Sequence, residues 1–313
     1  MGVKSKAAAA IIVLLLFLGS LWLQGGLDYH WDSCLKGYNQ VNKVRVEANH
    51  ELYPLSNSSE GYGAEGPEVL GQCPGQTFQV SLLLSHLLAA PAFTSDVLLQ
   101  PYLSSWDELV RFMEALGPMV GLISKEIETK TSIIRQLALL ADEGPEAELG
   151  PDVHPLDAVN TESAAQNTLH HTSAYHSVRS MIRAELSHGM VNFHHQTDSG
   201  CRTLLRLHRA LLWLKLFLEK LAETPVAGRF RSPAELCREA YQSTLAHHHT
   251  WFVRRAAELA FIAMPERGFF YRLVCVHNQE EFNKVLNKVA QAIGEVYDRT
   301  QGALEENGML DLP

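Results

Sequence analysis

The sequence predicts an all-α domain of about eight helices. After Phe78, apolar residues recur three and four positions apart almost without interruption, as on one face of a helix. The same stretch contains no alternating run of comparable strength that would predict strands. The chain has 313 residues, of which 46% are hydrophobic, so it can bury one large core. We therefore expect one globular domain with appended segments.

The first 25 residues are typical of a signal peptide or a signal anchor. Lys4 and Lys6 precede an uncharged apolar run, residues 7–23, and acidic residues follow it. This charge order favours a cytosolic N-terminus with the remainder across the membrane. Asn57 begins a glycosylation sequon, which agrees with a lumenal location. We expect membrane association or entry into the secretory pathway.

Residues 26–76 are rich in Gly, Ser, Asn and Glu and predict a flexible acidic linker. The globular domain is expected to span residues 77–313. A Pro-, Gly- and Asp-rich stretch at about 142–167 predicts a surface insertion. Before it, the helical pattern runs through QVSLLLSHLL, SWDELVRFMEAL and MVGLISKEIETKTSIIRQLALLA. After it, the pattern runs through SVRSMIRAELSHGMVNF, GCRTLLRLHRALLWLKLF, SPAELCREAYQSTLAHHHTWFVRRAAELAFIAM and EEFNKVLNKVAQAIGEVYDRTQGAL.

The stretch 200–217 is apolar nearly all round, yet it carries three arginines on one line. At about 100° per residue, Arg202, Arg206 and Arg209 fall within a narrow sector, and Trp213 and Phe217 continue it. A buried cation is costly unless it meets an anion. One interpretation is an amphiphilic ligand with an anionic head and an apolar tail. The other, favoured by this segment alone, is a partly exposed helix with solvated arginines.

The net charge of −9 is unevenly distributed. Two stretches, residues 46–110 and 136–178, contain acidic residues and no Lys or Arg, and the rest of the chain has more basic than acidic residues. That balance suits an anionic membrane or lipid head. A nucleic-acid partner is not expected, because no dense basic stripe with interleaved aromatic residues is present.

The five cysteines are an odd number without CxxC spacing, so they predict neither a zinc site nor a complete disulfide framework. Cys34 and Cys73 are candidates for a disulfide in an oxidising compartment. Cys201, Cys237 and Cys275 are expected to pack as small apolar residues.

Three consecutive histidines, residues 247–249, cannot all point the same way on a helix, so a metal site is not expected there. One inward-facing histidine that donates a hydrogen bond is the better expectation. A metal-dependent hydrolase that uses the histidine clusters is a third hypothesis for function. The chain has no nucleophile elbow or phosphate-binding glycine loop, so we expect neither an enzyme nor a cofactor.

Glu126 and Lys130 are four residues apart on one predicted helix face. An exposed ion pair at this spacing stabilises a helix by about 0.3 to 0.5 kcal/mol. The same two groups also suit an amide or hydroxyl and a phosphate. Both interpretations remain open at this point.

Several motifs together resemble the glycolipid transfer protein family, in its ceramide-1-phosphate transfer branch. The resemblance runs from about residue 78 to 313 and rests on DVLLQPYLSSW, LVRFMEALG, ISKEIETK, SGCRTLLRLHRALLWLKLFLE, HTWFVRRA and LDLP. It implies a two-layer helical sandwich that binds one sphingolipid and moves it between membranes without covalent chemistry. It also implies a monomer whose partners are ceramide 1-phosphate, or a related anionic sphingolipid, and a membrane surface.

The resemblance also implies roles for individual residues. The lipid phosphate is expected to be held by four cationic side chains, those of Lys130, Arg202, Arg206 and Arg209. Glu126 and His249 are expected to bind the ceramide amide and hydroxyl, although the family has Asp at the position of Glu126. The added methylene predicts a changed fit, which could lower affinity about tenfold.

Aromatic residues are expected at the membrane or around the lipid chains. Trp106 and Trp251 are predicted to dock on the membrane, with core packing as the alternative. Trp213 and Phe217 are predicted to form a pocket wall. An alternative function is a membrane-tethered sphingolipid sensor or adaptor that binds lipid without shuttling it, and an alternative location is the cytosol, as the family implies.

Overall fold

The computed structural model describes residues 72–93, 95–142, 174–223, 225 and 228–313. Within these ranges the chain forms α-helices, a 3-10 turn at Ala246–His248 and two isolated β-bridges, without a strand. The predicted all-α class is confirmed. The described α-helices are α1 Val80–Ala89, α2 Leu99–Ala115, α3 Pro118–Asp142, α4 Val178–Ser187, α5 Gly200–Leu221, α6 Pro233–Thr244, α7 Trp251–Ile262, α8 Arg267–Leu273 and α9 Gln279–Glu306.

Several predictions concern residues outside the described ranges. These are the signal segment, most of the linker, Asn57, Cys34 and the proposed insertion, and they stay predictions. In the ranges that are described, no helix combines the length and apolar character needed to cross a membrane.

Helix α5 lies at the centre of the domain, where it contacts α3, α4, α6 and α9. Most of its side chains are buried, including Leu207, Leu211 and Leu214. Burying a side chain of this kind stabilises the fold by about 1.5 to 3 kcal/mol. Because neighbours cover most of the helix, little freedom remains for the residues on its one polar face.

Two side chains cap the start of α5. Ser199 accepts a hydrogen bond from the amide of Arg202 at 3.2 Å. The buried carboxylate of Glu185 accepts from the amides of Gly200 at 2.6 Å and Cys201 at 2.9 Å. These acceptors satisfy amides that have no partner within the helix, and the negative charge favours a helix N-terminus. The register of α5, and so the direction of its arginines, is set here.

Close approach to Glu185 also explains the glycine at the start of α5. A Cβ atom added at Gly200 would lie 2.7 Å from Oε1 of Glu185 and 2.8 Å from Sδ of Met181. The carboxylate can reach the helix amides only because Gly200 has no side chain.

The cysteines differ from the expectation. Cys73 forms a disulfide with Cys275, and the two Cα atoms are 5.7 Å apart, an ordinary separation for such a bond. Cys73 is therefore not available to Cys34, and the prediction that Cys275 packs as a free apolar side chain is wrong. Cys201 and Cys237 are free and buried, as expected.

Candidate functional site

The arginine face consists of Arg202, Arg206 and Arg209, which lie along one side of α5 and are all partly buried. They span about 10 Å along the helix axis, at 1.5 Å per residue. Helix α3 packs against α5 and carries Lys130, whose side chain is 15% exposed. The four predicted cations therefore lie on two helices that contact each other.

The chain after α9 supplies acceptors to the two outer arginines. Nε of Arg202 donates to the main-chain oxygen of Pro313 at 2.6 Å, and a terminal nitrogen of Arg209 donates to the carbonyl of Leu310 at 2.6 Å. Arg206, between them, makes one long hydrogen bond to a described residue, to the carbonyl of Arg202 at 3.4 Å. Most donors of its planar guanidinium are thus available to a ligand.

Positive charge is crowded at the centre of this face. The pKa of Arg206 is lowered by burial first and then by the charges of Arg202 and Arg209, while Glu126 opposes the shift. Burial also lowers the pKa of Arg209. Arginine stays protonated in proteins despite such shifts. A bound anion would relieve the repulsion, so the arrangement suits a phosphate or another compact anion.

Glu126 and Lys130 form an ion pair on α3, so the predicted sharing of a helix face is confirmed. The Glu126 side chain is 68% exposed, and an exposed pair contributes little stability. The charge of Glu126 acts on both Arg206 and His249. Glu126 is therefore close enough to influence both the arginine face and the histidine.

His249 follows the 3-10 turn and is held by a tyrosine that the sequence did not indicate. Its Nδ1 lies 2.8 Å from the hydroxyl of Tyr241. Burial, and then Lys130, lower the pKa of His249, whereas burial raises the pKa of Tyr241 to about 12. At neutral pH the histidine is thus neutral and the tyrosine keeps its proton. If the hydroxyl donates to Nδ1, Nε2 carries the ring proton and can donate to a ligand carbonyl.

The neighbouring His248 adds little positive charge to the site at neutral pH. Burial, and then Arg209, lower its pKa to about 4. Its ring centroid lies 3.8 Å from that of His247. The described ranges contain no group of three His, Cys, Asp or Glu residues placed to hold a metal ion.

The four predicted aromatic residues occupy different environments. Trp106 is 0% exposed, because α2 lies against both α1 and α3, so its predicted membrane role is wrong. Trp251 is 56% exposed at the start of α7, beside Phe252 at 52%. Trp213 and Phe217 are buried in the core.

An apolar cavity of about 20 Å³ lies among α1, α2, α5 and α9. On α5 the cavity is lined by Leu214 and Leu218. The predicted wall residues, Trp213 and Phe217, precede each of them by one position and do not line this cavity. A cavity of this size accommodates about one water molecule. An alkyl chain can therefore enter only if the walls move apart.

Comparisons with known proteins agree with this architecture. The family model described as Glycolipid transfer protein (GLTP) matches residues 155–276. The ceramide-1-phosphate transfer protein of Xenopus laevis is 38% identical over 221 residues, covering 70% of this chain and 88% of that protein. The chain belongs to the glycolipid transfer protein family. The human ceramide-1-phosphate transfer protein is 36% identical with the same coverage.

Solved structures confirm the two-layer helical sandwich of the glycolipid transfer protein type. The human ceramide-1-phosphate transfer protein in complex with 12:0 ceramide 1-phosphate has a TM-score of 0.60 at 33% identity. The similarity covers 74% of this chain and 98% of that one. The apo form of the mouse protein also has a TM-score of 0.60 at 33% identity, covering 75% of this chain and 100% of that chain.

Proposed function

We propose that this protein binds ceramide 1-phosphate, or a related anionic sphingolipid, and transfers it between membranes without covalent chemistry. The observation that carries the proposal is the arginine face, with the available guanidinium of Arg206 at its centre and Lys130 on the adjoining helix. Membership of the glycolipid transfer protein family, and relatives that are ceramide-1-phosphate transfer proteins, support it.

In this proposal the phosphate binds at Arg206 and draws on its neighbours. A guanidinium offers paired donors that match two phosphate oxygens, which an ammonium does not. Arg202 and Arg209 contribute mainly through their charge, since each already donates to a main-chain oxygen. Lys130 is shared between Glu126 and the phosphate.

The ceramide amide would bind between two side chains of opposite hydrogen-bonding character. The carboxylate of Glu126 accepts from the amide N–H or a sphingoid hydroxyl, and Nε2–H of His249 donates to the amide carbonyl. Tyr241 supports this by accounting for the other ring nitrogen of His249. Because Glu126 accepts a hydrogen bond and His249 donates one, the pair favours an amide, which has both an N–H donor and a carbonyl acceptor. An ester has no N–H donor for Glu126.

The membrane-docking surface in this proposal is the start of α7. Trp251 and Phe252 are exposed there, and they come directly after His249 and Thr250. Tryptophan favours the membrane–water interface, and the following arginines, Arg254 and Arg255, would meet anionic headgroups. Docking at this point would bring the site to the membrane surface.

We also propose that the protein enters the secretory pathway or remains membrane-associated. The apolar segment at residues 7–23 and the sequon at Asn57 support this, as does the Cys73–Cys275 disulfide, since such bonds persist mainly in oxidising compartments. A glycan on Asn57 in protein expressed in animal cells would place the domain in the lumen. Quantitative labelling of Cys73 and Cys275 as free thiols in cells would contradict it.

The function is tested by intervesicle transfer of labelled ceramide 1-phosphate. Arg206→Leu should lower the transfer rate more than about tenfold, because a charge-assisted hydrogen bond contributes about 1.5 to 3 kcal/mol. Arg229→Leu removes an exposed arginine beyond the opposite end of α5 and should leave the rate unchanged. Equal transfer by wild type and Arg206→Leu would contradict the phosphate site. Tight lipid binding without transfer by the wild type would instead favour the tethered sensor.

A further inference from the structure

The Cys73–Cys275 disulfide joins two walls of the apolar cavity. Val274, next to Cys275, lines the cavity at the end of α8. On the other side, Phe78 and Val80 line it at the start of α1, a few residues after Cys73. The bond, between cysteines 202 residues apart in sequence, thus links the segments that lead into these two parts of the wall.

Side-chain hydrogen bonds make the segment between Cys73 and α1 a compact turn. The side-chain amide of Gln79 accepts from the amide of Cys73 at 2.8 Å and donates to its carbonyl at 2.8 Å. It also donates to the carbonyl of Gln76 at 2.9 Å. Because this turn leads directly into Phe78, a constraint on Cys73 is passed to the cavity wall.

Without the disulfide, weaker contacts would hold the two walls together. Nε2 of Gln76 donates to the carbonyl of Arg272 at 2.6 Å, and Phe78 and Phe270 both pack against Phe112. Such contacts can open and re-form on a thermal timescale, whereas the covalent bond keeps the Cα atoms of Cys73 and Cys275 near 5.7 Å. The bond therefore removes one direction in which the cavity could widen.

We propose that this disulfide limits how far the apolar cavity opens and thereby sets the length of alkyl chain that the protein accepts. The inference rests on the proposed lipid-binding function, since it assumes that a lipid chain enters this cavity. The oxidised protein would favour short acyl chains, and loss of the bond would extend the range to longer ones. Each methylene kept out of the cavity should weaken binding about fourfold, from about 0.8 kcal/mol per buried methylene.

The test compares binding of 2:0 and 12:0 ceramide 1-phosphate, the lipids of the human complexes. Both are presented in phosphatidylcholine vesicles to the full chain, as oxidised wild type and as the double variant Cys73→Ser/Cys275→Ser. The ratio of 12:0 to 2:0 affinity should rise at least fourfold in the variant. Adding a reductant should raise the ratio in the wild type and leave it unchanged in the variant.

The 2:0 lipid separates failure of this inference from failure of the proposed function. If 2:0 binds and the affinity ratio is the same with and without the disulfide, the inference is overturned and lipid binding stands. If a folded wild type binds neither lipid, in either redox state, the proposed function fails and this inference with it. Should the double variant not fold, the wild type with and without reductant gives the same comparison.

Discussion

Replacing Glu185 by Gln should strongly destabilise the domain without changing its shape. Oε1 of Glu185 accepts from the Tyr175 hydroxyl at 2.8 Å and from the amide of Gly200, and Oε2 accepts from the amide of Cys201. Glutamine offers one acceptor oxygen and one N–H₂ group. In either orientation of the glutamine amide, its N–H₂ group would face a main-chain N–H at the start of α5, that of Gly200 or that of Cys201.

The expected loss can be estimated from these contacts. One buried amide loses its acceptor, at about 1 to 3 kcal/mol, and the remaining bonds lose their charge assistance, at about 1 kcal/mol. Loss of the favourable charge at the helix N-terminus adds about 0.3 to 1 kcal/mol. The sum is about 2 to 5 kcal/mol, a large part of the stability of an ordinary domain. For a domain of this size, Tm should fall by roughly 10 °C.

Urea unfolding followed by circular dichroism, together with calorimetry, measures this loss. Glu305→Gln, an exposed change near the end of α9, is the matched control and should shift stability by less than about 0.5 kcal/mol. A loss below about 1 kcal/mol in Glu185→Gln would refute the view that this carboxylate sets the start of α5.

Three further predictions follow from the same geometry. Gly200→Ala should cost about 1 to 3 kcal/mol in unfolding free energy, because its Cβ would lie 2.7 Å from Glu185, whereas Gly302→Ala has open space and should not destabilise. Burial lowers the pKa of His208 to about 4, so the stabilising contribution of the neutral ring is present above pH 6.5 and is lost as pH falls towards 4. The urea midpoint of unfolding should therefore decline less between pH 6.5 and pH 4 in His208→Gln than in the wild type. Glu126→Asp should raise ceramide 1-phosphate affinity up to about tenfold in vesicle binding, and a lower affinity would show that the site suits Glu.

The arginine face could be predicted from sequence because its residues belong to one helix. Arg202, Arg206 and Arg209 follow the helical repeat, so the period alone places them on one side. The same is true of Glu126 and Lys130. Local spacing therefore accounts for each half of the site.

Other features depend on contacts between distant parts of the chain, which no local period encodes. The disulfide joins cysteines 202 residues apart. The main-chain oxygens of Leu310 and Pro313 reach α5 only because the chain turns back after α9. Tyr241 meets His249 across a 3-10 turn that interrupts the helical repeat. For Trp106, the helix pattern predicted an apolar face, but its burial depends on having neighbours on both sides of α2.

The main-chain oxygens that accept hydrogen bonds from Arg202 and Arg209 affect how the site releases its ligand. A transfer protein must release its cargo, and a vacant site with many unpaired buried donors would hold the lipid too strongly. The neutral carbonyl of Leu310 satisfies one donor of Arg209 without cancelling its positive charge. The site can therefore attract a phosphate over a distance and still exist unloaded at modest free-energy cost. Such a compromise suits a carrier better than a receptor that keeps its ligand.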